Sequence, residues 1–513
     1  MALTLPQLSS EGWSLLDTSL IGLFLVLLLT YLTTHRSKSL PPGPTPIPIF
    51  GNLFQLSQQE EWLQFTQWGS IFGELVTFRV FNKPIILLNS SKAIVDLFEA
   101  RSAIYSNRPH LVMANELMGW GETVVLMPYN ERFKNYRKLL KVGLNTNVTR
   151  EYWPLIEKEI GHSLVRLLDD PDTFTKNFRR TAGTIALKVA YGFKHESDEF
   201  KTIMDDTEKA LRMFSIAALP GVFLVDTLPF LKYVPSWFPG AGFKRLGIKT
   251  QGLIRKMVDT PFDMVKKQVA SGNAPKSFTE TLLNASERST DEDIKWVAAG
   301  LYAGQADTTV AALSNFFLSM MLFPDIQRRA QDEIDRVIGN NRLPRVEDRE
   351  SLPYVYSVLK EVLRWRPVVP MVSHSVTQDD IYKGYIIPSG TALVANIWAA
   401  LHDETIYKDP DVFDPERFLS PRNEPDSSKF AFGFGRRACP GEAVAHAALF
   451  CNVACTLATF DIKKPVDEYG VEIEPIMRWS SGVTSLPHAF KCDIKPRSPR
   501  AAQLIRTNSE SDI

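Results

Sequence analysis

Cysteine is scarce: four residues in 513, at positions 439, 451, 455 and 492. That is too few for a disulfide scaffold and fits a reducing compartment. No two cysteines stand in a Cys-x-x-Cys arrangement, so zinc-ribbon spacing is excluded. A surplus of charge is missing as well, since Lys plus Arg and Asp plus Glu number 58 each. A nucleic-acid binder working by phosphate neutralisation needs a basic surplus, so that class is excluded. Electrostatic docking must then use a local patch. Internal repeats are absent, and strand-like runs are few: 75–81, 85–89, 385–387 and 392–396. What is present is 44% hydrophobic and 23% charged, an ordinary globular composition. Helical periodicity dominates from about residue 140 to 365. The simplest reading is one large, mostly α domain with small β-sheets.

Charge is also absent from residues 18–34. Extended back to Trp13, the apolar stretch runs 22 residues and is broken only by Asp17. A membrane span needs about 20 such residues. A signal peptide opens on basic residues, but no Lys or Arg precedes Arg36. Arg36 and Lys38 follow the span, and the positive-inside rule then leaves everything after residue 35 in the cytosol. The expectation is an uncleaved anchor over 1–38, with one N-terminal transmembrane helix over about 13–34. The sequons at Asn89, Asn147 and Asn284 would then stay unglycosylated. Residues 39–52 hold Leu40-Pro41-Pro42-Gly43-Pro44-Thr45-Pro46-Ile47-Pro48, which can form neither helix nor central strand and reads as a stiff hinge. The main domain spans 53–493, and 494–513 reads as a polar, disordered tail.

Within the domain a long helix is predicted from near Thr290 to Phe323, where Pro324 stops it. Thr290 and Asp293 form a capping box at its start. So apolar a helix must cross the middle of a large core. The next segment, 325–338, is amphipathic and ends at Gly339.

The most informative stretch is Phe432-Gly433-Phe434-Gly435-Arg436-Arg437-Ala438-Cys439-Pro440-Gly441. A buried cysteine by itself is usually a small core hydrophobe. Here the pattern Phe-x-x-Gly-x-Arg-x-Cys-x-Gly resembles the haem-binding loop of the cytochrome P-450 superfamily. A haem thiolate needs backbone amides and a positive helix end facing the sulfur. Glycines let the chain pass close to a flat macrocycle. Pro440 suits the first turn of the helix expected over about 441–457. The resemblance makes Cys439 the axial ligand of the iron of haem b and Arg437 a partner of a propionate.

The likeness extends over nearly the whole chain after the anchor. Glu361-Val-Leu-Arg364 is similar to the family's Glu-x-x-Arg motif, whose members share a helix face three residues apart. Phe413-Asp-Pro415-Glu-Arg417-Phe418 resembles the segment whose Arg completes that ion network. Ala303-Gly304-Gln305-Ala306-Asp307-Thr308-Thr309 lies on the long helix. It resembles the oxygen-activating turn, in which Asp307 and Thr308 relay protons. Gln305 stands where that pattern has glycine. Alone, an Asp-Thr-Thr run on a helix reads as hydroxyls bonding back to carbonyls.

Tyr105-Ser-Asn-Arg108-Pro109 resembles the segment whose Arg reaches a propionate. Tyr129-Asn-Glu-Arg-Phe133-Lys134-Asn-Tyr-Arg137-Lys138 is similar to the family's Trp-Arg-x-x-Arg helix, with Phe133 in place of the Trp and Arg137 kept. His374, after Val368-Val-Pro370-Met-Val-Ser, matches a further propionate position. Lys134, Lys138 and Lys141 form a basic stripe: a solvated face, or a docking site for an acidic partner. Met113, Val369, Met371, Val372 and Val483 fall where the family lines its pocket.

The resemblance thus implies a monooxygenase of the endoplasmic reticulum membrane, single-pass, with a cytosolic catalytic domain. It would take electrons from NADPH–cytochrome P-450 reductase, with cytochrome b5 as an optional second donor. It would insert one oxygen atom from O2 into a lipophilic small molecule. Membrane lipid is an expected partner and nucleic acid is not. Similarity to fungal secondary-metabolism members suggests a terpenoid or polyketide scaffold. A peroxygenase or isomerase on the same fold would need no added electrons. A non-catalytic haem protein would need no Asp307–Thr308 pair.

Overall fold

The computed structural model describes residues 22, 40–81, 83–193, 198–219, 221–285 and 290–510. Apart from Gly22, the expected transmembrane segment over about 13–34 lies outside the described residues. Among the described residues, one helix, Glu442–Thr459, is long and apolar enough to cross a membrane, and 78% of that stretch is buried in the fold.

The helices of twelve residues or more are α1 (Glu61–Phe72), α2 (Glu131–Leu144), α3 (Trp153–Asp169), α4 (Phe174–Tyr191), α5 (Asp198–Ala217) and α6 (Gly242–Ala270). They continue with α7 (Asp291–Leu322), α8 (Pro324–Val337), α9 (Pro353–Trp365), α10 (Glu442–Thr459) and α11 (Pro499–Glu510). As expected, α7 is apolar along its length and crosses the core, packing on α2, α4, α6, α9 and α10. Thr290 caps it by accepting from the Asp293 amide at 3.2 Å. The other half of the expected capping box is missing. The Asp293 carboxylate accepts from Arg132 Nε at 3.1 Å and Asn135 Nδ2 at 3.4 Å instead. A guanidinium is a stronger partner than the cap amide. Pro324 does more than stop α7. Its fixed φ suits the first helical position, and α8 starts there, bent 105° from α7.

Four strands form the larger sheet, in the order β1 (Leu75–Val80), β2 (Lys83–Leu88), β6 (Ala392–Asn396), β3 (Met371–Ser375). The β2–β6 pair is parallel and the other two are antiparallel. Two hairpin-like pairs join β4 (Asp380–Tyr382) to β5 (Tyr385–Ile387), and β7 (Phe460–Lys463) to β8 (Asp493–Pro496). Strands β3, β4, β7 and β8 were not among the strand-like runs read from the sequence.

Two boundary expectations are corrected. The proline-rich stretch from residue 40 is no free hinge but lies along β1: Thr77 N donates to the Pro42 carbonyl at 2.9 Å and Asn52 N to that of Arg79 at 2.6 Å. Proline lacks the donor, yet its carbonyl still pairs. The tail is ordered too. Residues 493–496 form β8, and α11 docks on α3 with Ile505 1% exposed and Arg506 paired to Asp169. Polar composition hid an amphipathic spacing, in which Ala501 and Ile505 fall on one helix face.

Candidate functional site

The cysteine loop closes on itself. Cys439 N donates to the Phe432 carbonyl at 2.7 Å, and a single turn, Gly435–Arg437, fills the loop. Gly435 has φ +52°, and a Cβ there would stand 2.5 Å from the Phe98 carbonyl oxygen. No other residue lets the loop lie against residue 98 so closely. Gly441 caps α10, so Pro440 precedes the helix rather than entering its first turn. Protein surrounds Cys439 on all sides, yet its own surface is open, so the sulfur faces an internal cleft. Burial pushes the thiol's pKa up, while the Gly441 amide and Arg137 pull it down.

Of the basic residues expected at the site, Arg137 acts on the sulfur, and Arg437 lies within the field of both Arg108 and Arg137. Arg437 Nη1 and Nη2 donate to the carbonyls of Val124 (3.1 Å) and Met127 (2.6 Å), and Nε to that of Ser106. Arg108 Nε donates to the Val125 carbonyl at 2.8 Å, and Nη1 to that of Ser373. Arg137, on α2, lies close enough to Cys439 for the sulfur's charge to raise its pKa against burial. Among the described residues none of the three guanidiniums has a carboxylate partner. Burial, aided by Arg108 and Arg137, drives Arg437 down to about 8, and burial alone drives Arg108 to about 10. His374 of β3 is 1% exposed and stacks on Phe98 at 4.1 Å, and its Nδ1 is buried without a partner. Burial, Arg108 and Arg437 hold it well below the usual histidine range. Phe133, in the expected Trp position, donates no hydrogen bond but offers its ring face to Arg437 at 4.3 Å.

Across the cleft stands one face of α7. Gly300, Gly304 and Thr308 fall four residues apart on it. A Cβ on Gly300 would meet Val124 Cγ1 at 4.0 Å, and the Val124 carbonyl is the one that accepts from Arg437. A Cβ on Gly304 would meet nothing within 4 Å. Thr308 Oγ1 donates back to the Gly304 carbonyl at 2.8 Å, the local bond such a residue makes. Asp307 is not brought beside Thr308. It lines a separate small crevice with Arg179, Glu208 and Tyr302, between α4, α5 and α7. Burial raises its carboxyl, opposed by Arg179 and Arg212 and reinforced by Glu208. Gln305 Nε2 is buried without a partner.

The Glu-x-x-Arg motif forms a buried network. Glu361 accepts from Arg364 Nε (2.7 Å) and Nη2 (2.8 Å), from Arg417 Nε (3.1 Å) and from Asp414 N (2.8 Å). Next to it, the Lys360 carbonyl accepts from Ser427 Oγ at 2.7 Å, just ahead of the cysteine loop. Of the expected pocket residues, Met113 is buried, while Val369, Met371, Val372 and Val483 are half-buried. Lys134, Lys138 and Lys141 are exposed on α2, the helix that carries Arg137. Phe98 was missed. Nothing in its local sequence marks a ring that packs on His374, because the two meet only through the fold.

The donor set can be tested for what it would hold. One sulfur and three guanidiniums without carboxylate partners among the described residues suit an anionic ligand that brings a metal. No group of three His, Cys, Asp or Glu that could hold a metal ion occurs among the described residues. A metal at Cys439 must therefore arrive with other ligands of its own. Its charge would also deprotonate a thiol that burial keeps neutral.

Comparison with known proteins gives the same direction. Residues 41–492 match the family described as Cytochrome P450. Cytochrome P450 monooxygenase claR of Ampulloclitocybe clavipes is 42% identical over 92% of this chain and 89% of its own length. Cytochrome P450 monooxygenase 208 of Postia placenta is 42% identical over 98% of this chain and 99% of its own. Cytochrome P450 monooxygenase ppsD of Aspergillus oryzae is 39% identical over 91% of both chains.

Proposed function

The chain belongs to the cytochrome P450 family and is a monooxygenase, and from that premise we propose that the Cys439 thiolate carries the iron of haem b in the cleft beneath α7. The observation that carries this is the triad Arg108, Arg137 and Arg437: half-buried cations with no carboxylate partner among the described residues, of which Arg137 acts on a sulfur that faces open space. Buried charges are tolerated when paired, and two propionates supply the pair. His374 adds a fourth polar contact through its unpartnered nitrogen.

A haem held there would supply the chemistry of O2 activation, with one oxygen atom of O2 entering the substrate and the other leaving as water. The chain's own residues do the rest. Thr308 holds a proton at Oγ1 on the cleft face of α7, one helical turn past Gly304. Asp307 faces the opposite crevice, where its raised pKa suits it to take protons from the α4–α5 side and pass them inward through water. Met113, Val369, Met371, Val372 and Val483 exclude water and select a lipophilic small molecule, of terpenoid or polyketide type, in secondary metabolism. Electrons come from NADPH through a flavoprotein reductase, with cytochrome b5 as an optional second donor, docking on the Lys134–Lys138–Lys141 face of α2. An N-terminal helix over about 13–34 anchors the protein in the endoplasmic reticulum membrane, with the catalytic domain in the cytosol.

The test is the carbon-monoxide difference spectrum of the reduced full-length protein, followed by product analysis with a reductase and a panel of lipophilic substrates. The expected results are a thiolate-type red-shifted band and NADPH-dependent hydroxylation. A haem band without thiolate character would overturn the ligand assignment. Turnover independent of NADPH would overturn the reaction.

A further inference from the structure

One half-buried cation, Arg366, has no place in the haem site. Arg366 directly follows α9. Its guanidinium carbon stands 4.0 Å from the ring centre of Trp365, 4.4 Å from that of Trp479 and 5.0 Å from that of Trp398. Nη1 donates to the Trp365 carbonyl at 2.8 Å, while Nε is buried and donates to nothing. No carboxylate pairs with it among the described residues. Three indole faces lie against it, with the charges of Asp411 and Glu60 acting from further off. An apolar side chain would fill the same space without burying a charge. Stability alone therefore does not explain why an arginine stands here.

Position does. Arg366 begins the segment that leads through Val368 and Val369 into β3. Trp479 lies at the base of a turn, bridged to Pro487, that carries Val483. The two segments meet where Ser485 N donates to the Val368 carbonyl at 2.8 Å. Asn315 of α7, fully buried, ties both to the long helix. Its Nδ2 donates to the Arg366 carbonyl at 3.0 Å, and its Oδ1 accepts from Trp479 Nε1 at 2.9 Å. Trp398 is fastened to the same segment, its amide donating to the Pro370 carbonyl at 3.1 Å.

We propose that Arg366 is a positioning residue for substrate: by gripping Trp365, Trp398 and Trp479 it sets the spacing between the 368–372 wall and the Val483 wall, and so the size and orientation of the lipophilic molecule admitted. This rests on the haem-thiolate reading of the cleft. The residue touches neither the haem site nor the substrate. It acts through the two walls that do.

The test uses the full-length haem protein, its R366K and R366M variants, and two iron-binding azoles read by their spectral shifts. Imidazole is small and needs only the iron. Clotrimazole is bulky and must press on both walls. For R366M the clotrimazole dissociation constant should rise about three- to tenfold, the loss expected when cation–π contacts to buried rings are removed, with imidazole within about twofold of the parent. R366K should fall between, because an ammonium keeps the charge but not the planar stacking. Trp479→Phe should move the ratio of the two constants in the same direction. A merely structural role would lower haem content and weaken both azoles alike, leaving the ratio at the parent value, and that result overturns the proposal. Absence of any azole shift in the parent would instead strike down the haem-thiolate reading, and this proposal with it.

Discussion

Replacing Glu361 by Gln changes almost no volume and removes one charge from a place where none can be spared. Glu361, Arg364 and Arg417 have side chains that are 0% exposed. Arg417 keeps a second carboxylate, Glu424, at 2.7 Å, but Arg364 has no other among the described residues. In the variant, an amide NH2 faces a guanidinium, and one of the bonds at 2.7 and 2.8 Å becomes a repulsion. Breaking a buried pair from one side costs about 3–5 kcal/mol. Against a total stability of about 5–15 kcal/mol that is roughly a fifth or more of the margin. The melting temperature should fall by roughly 5–15 °C on the usual scaling for large domains. The damage should also reach the cysteine loop. Arg364 holds the carbonyls of Leu401 and Pro410, and Ser427 grips the carbonyl of Lys360 next to Glu361. Haem content and the thiolate-type carbonyl spectrum should therefore decline before the circular-dichroism melt. Arg328→Ala, which removes an exposed pair with Asp325, is the control and should change neither. A Glu361→Gln protein that melts within about 2 °C of the parent and keeps its spectrum would refute the reasoning, since the charge would then contribute nothing the amide cannot.

Cys439→Ala should abolish the thiolate-type spectrum and all turnover, and a surviving thiolate band would place the ligand elsewhere. Thr308→Ala should lower product per NADPH consumed by about tenfold while hydrogen peroxide rises, as loss of a positioned proton donor implies. Adding Gln305→Gly should worsen this, because its unpartnered amide can stand in for the lost hydroxyl. An unchanged ratio in the double variant would rule out this turn of α7 as the proton source. Lys138→Glu with Lys141→Glu should slow reduction by the flavoprotein at low salt, with the gap closing as ionic strength rises. Equal rates at low salt would return the stripe to a solvated face. His446 is buried, and burial holds its pKa near 4, so the unfolded chain, at about 6.5, binds the proton more tightly. Its contribution is therefore intact above pH 6.5 and lost as pH falls toward 4, by up to about 1.4 kcal/mol per pH unit. Thermal melts of His446→Gln should lose less stability than the parent between pH 7 and pH 5, and parallel losses would exclude this histidine as a cause.

The chemistry-bearing residues were legible because their motifs are local. The cysteine loop, the Glu-x-x-Arg turn and the Asp307–Thr308 step each sit within ten residues, and α7, β5 and β6 were marked by periodicity and caps. Relations made by the fold were not legible. Adjacent letters suggested that Asp307 and Thr308 act side by side, whereas the helical turn of about 100° per residue sends them to different cavities. Phe98 on His374, and Arg366 against Trp398 and Trp479, join segments far apart in the chain, which no short window along it reports. Composition misjudged both edges of the domain. Prolines looked like a free joint although their carbonyls pair with β1, and a polar tail concealed one apolar helix face.

The docking of α11 has a consequence for how the protein is made. Arg506 and Asp169 lie 337 residues apart, so the end of the chain covers a surface laid down in its first third. During synthesis α3 leaves the ribosome long before its cover exists, and contacts of such sequence separation form late. The site of Ile505 stays open apolar surface until α11 has been made and has left the ribosome. Loss of α11, innocuous for a disordered tail, would here leave that surface bare for good and hand the product to the cell's quality control.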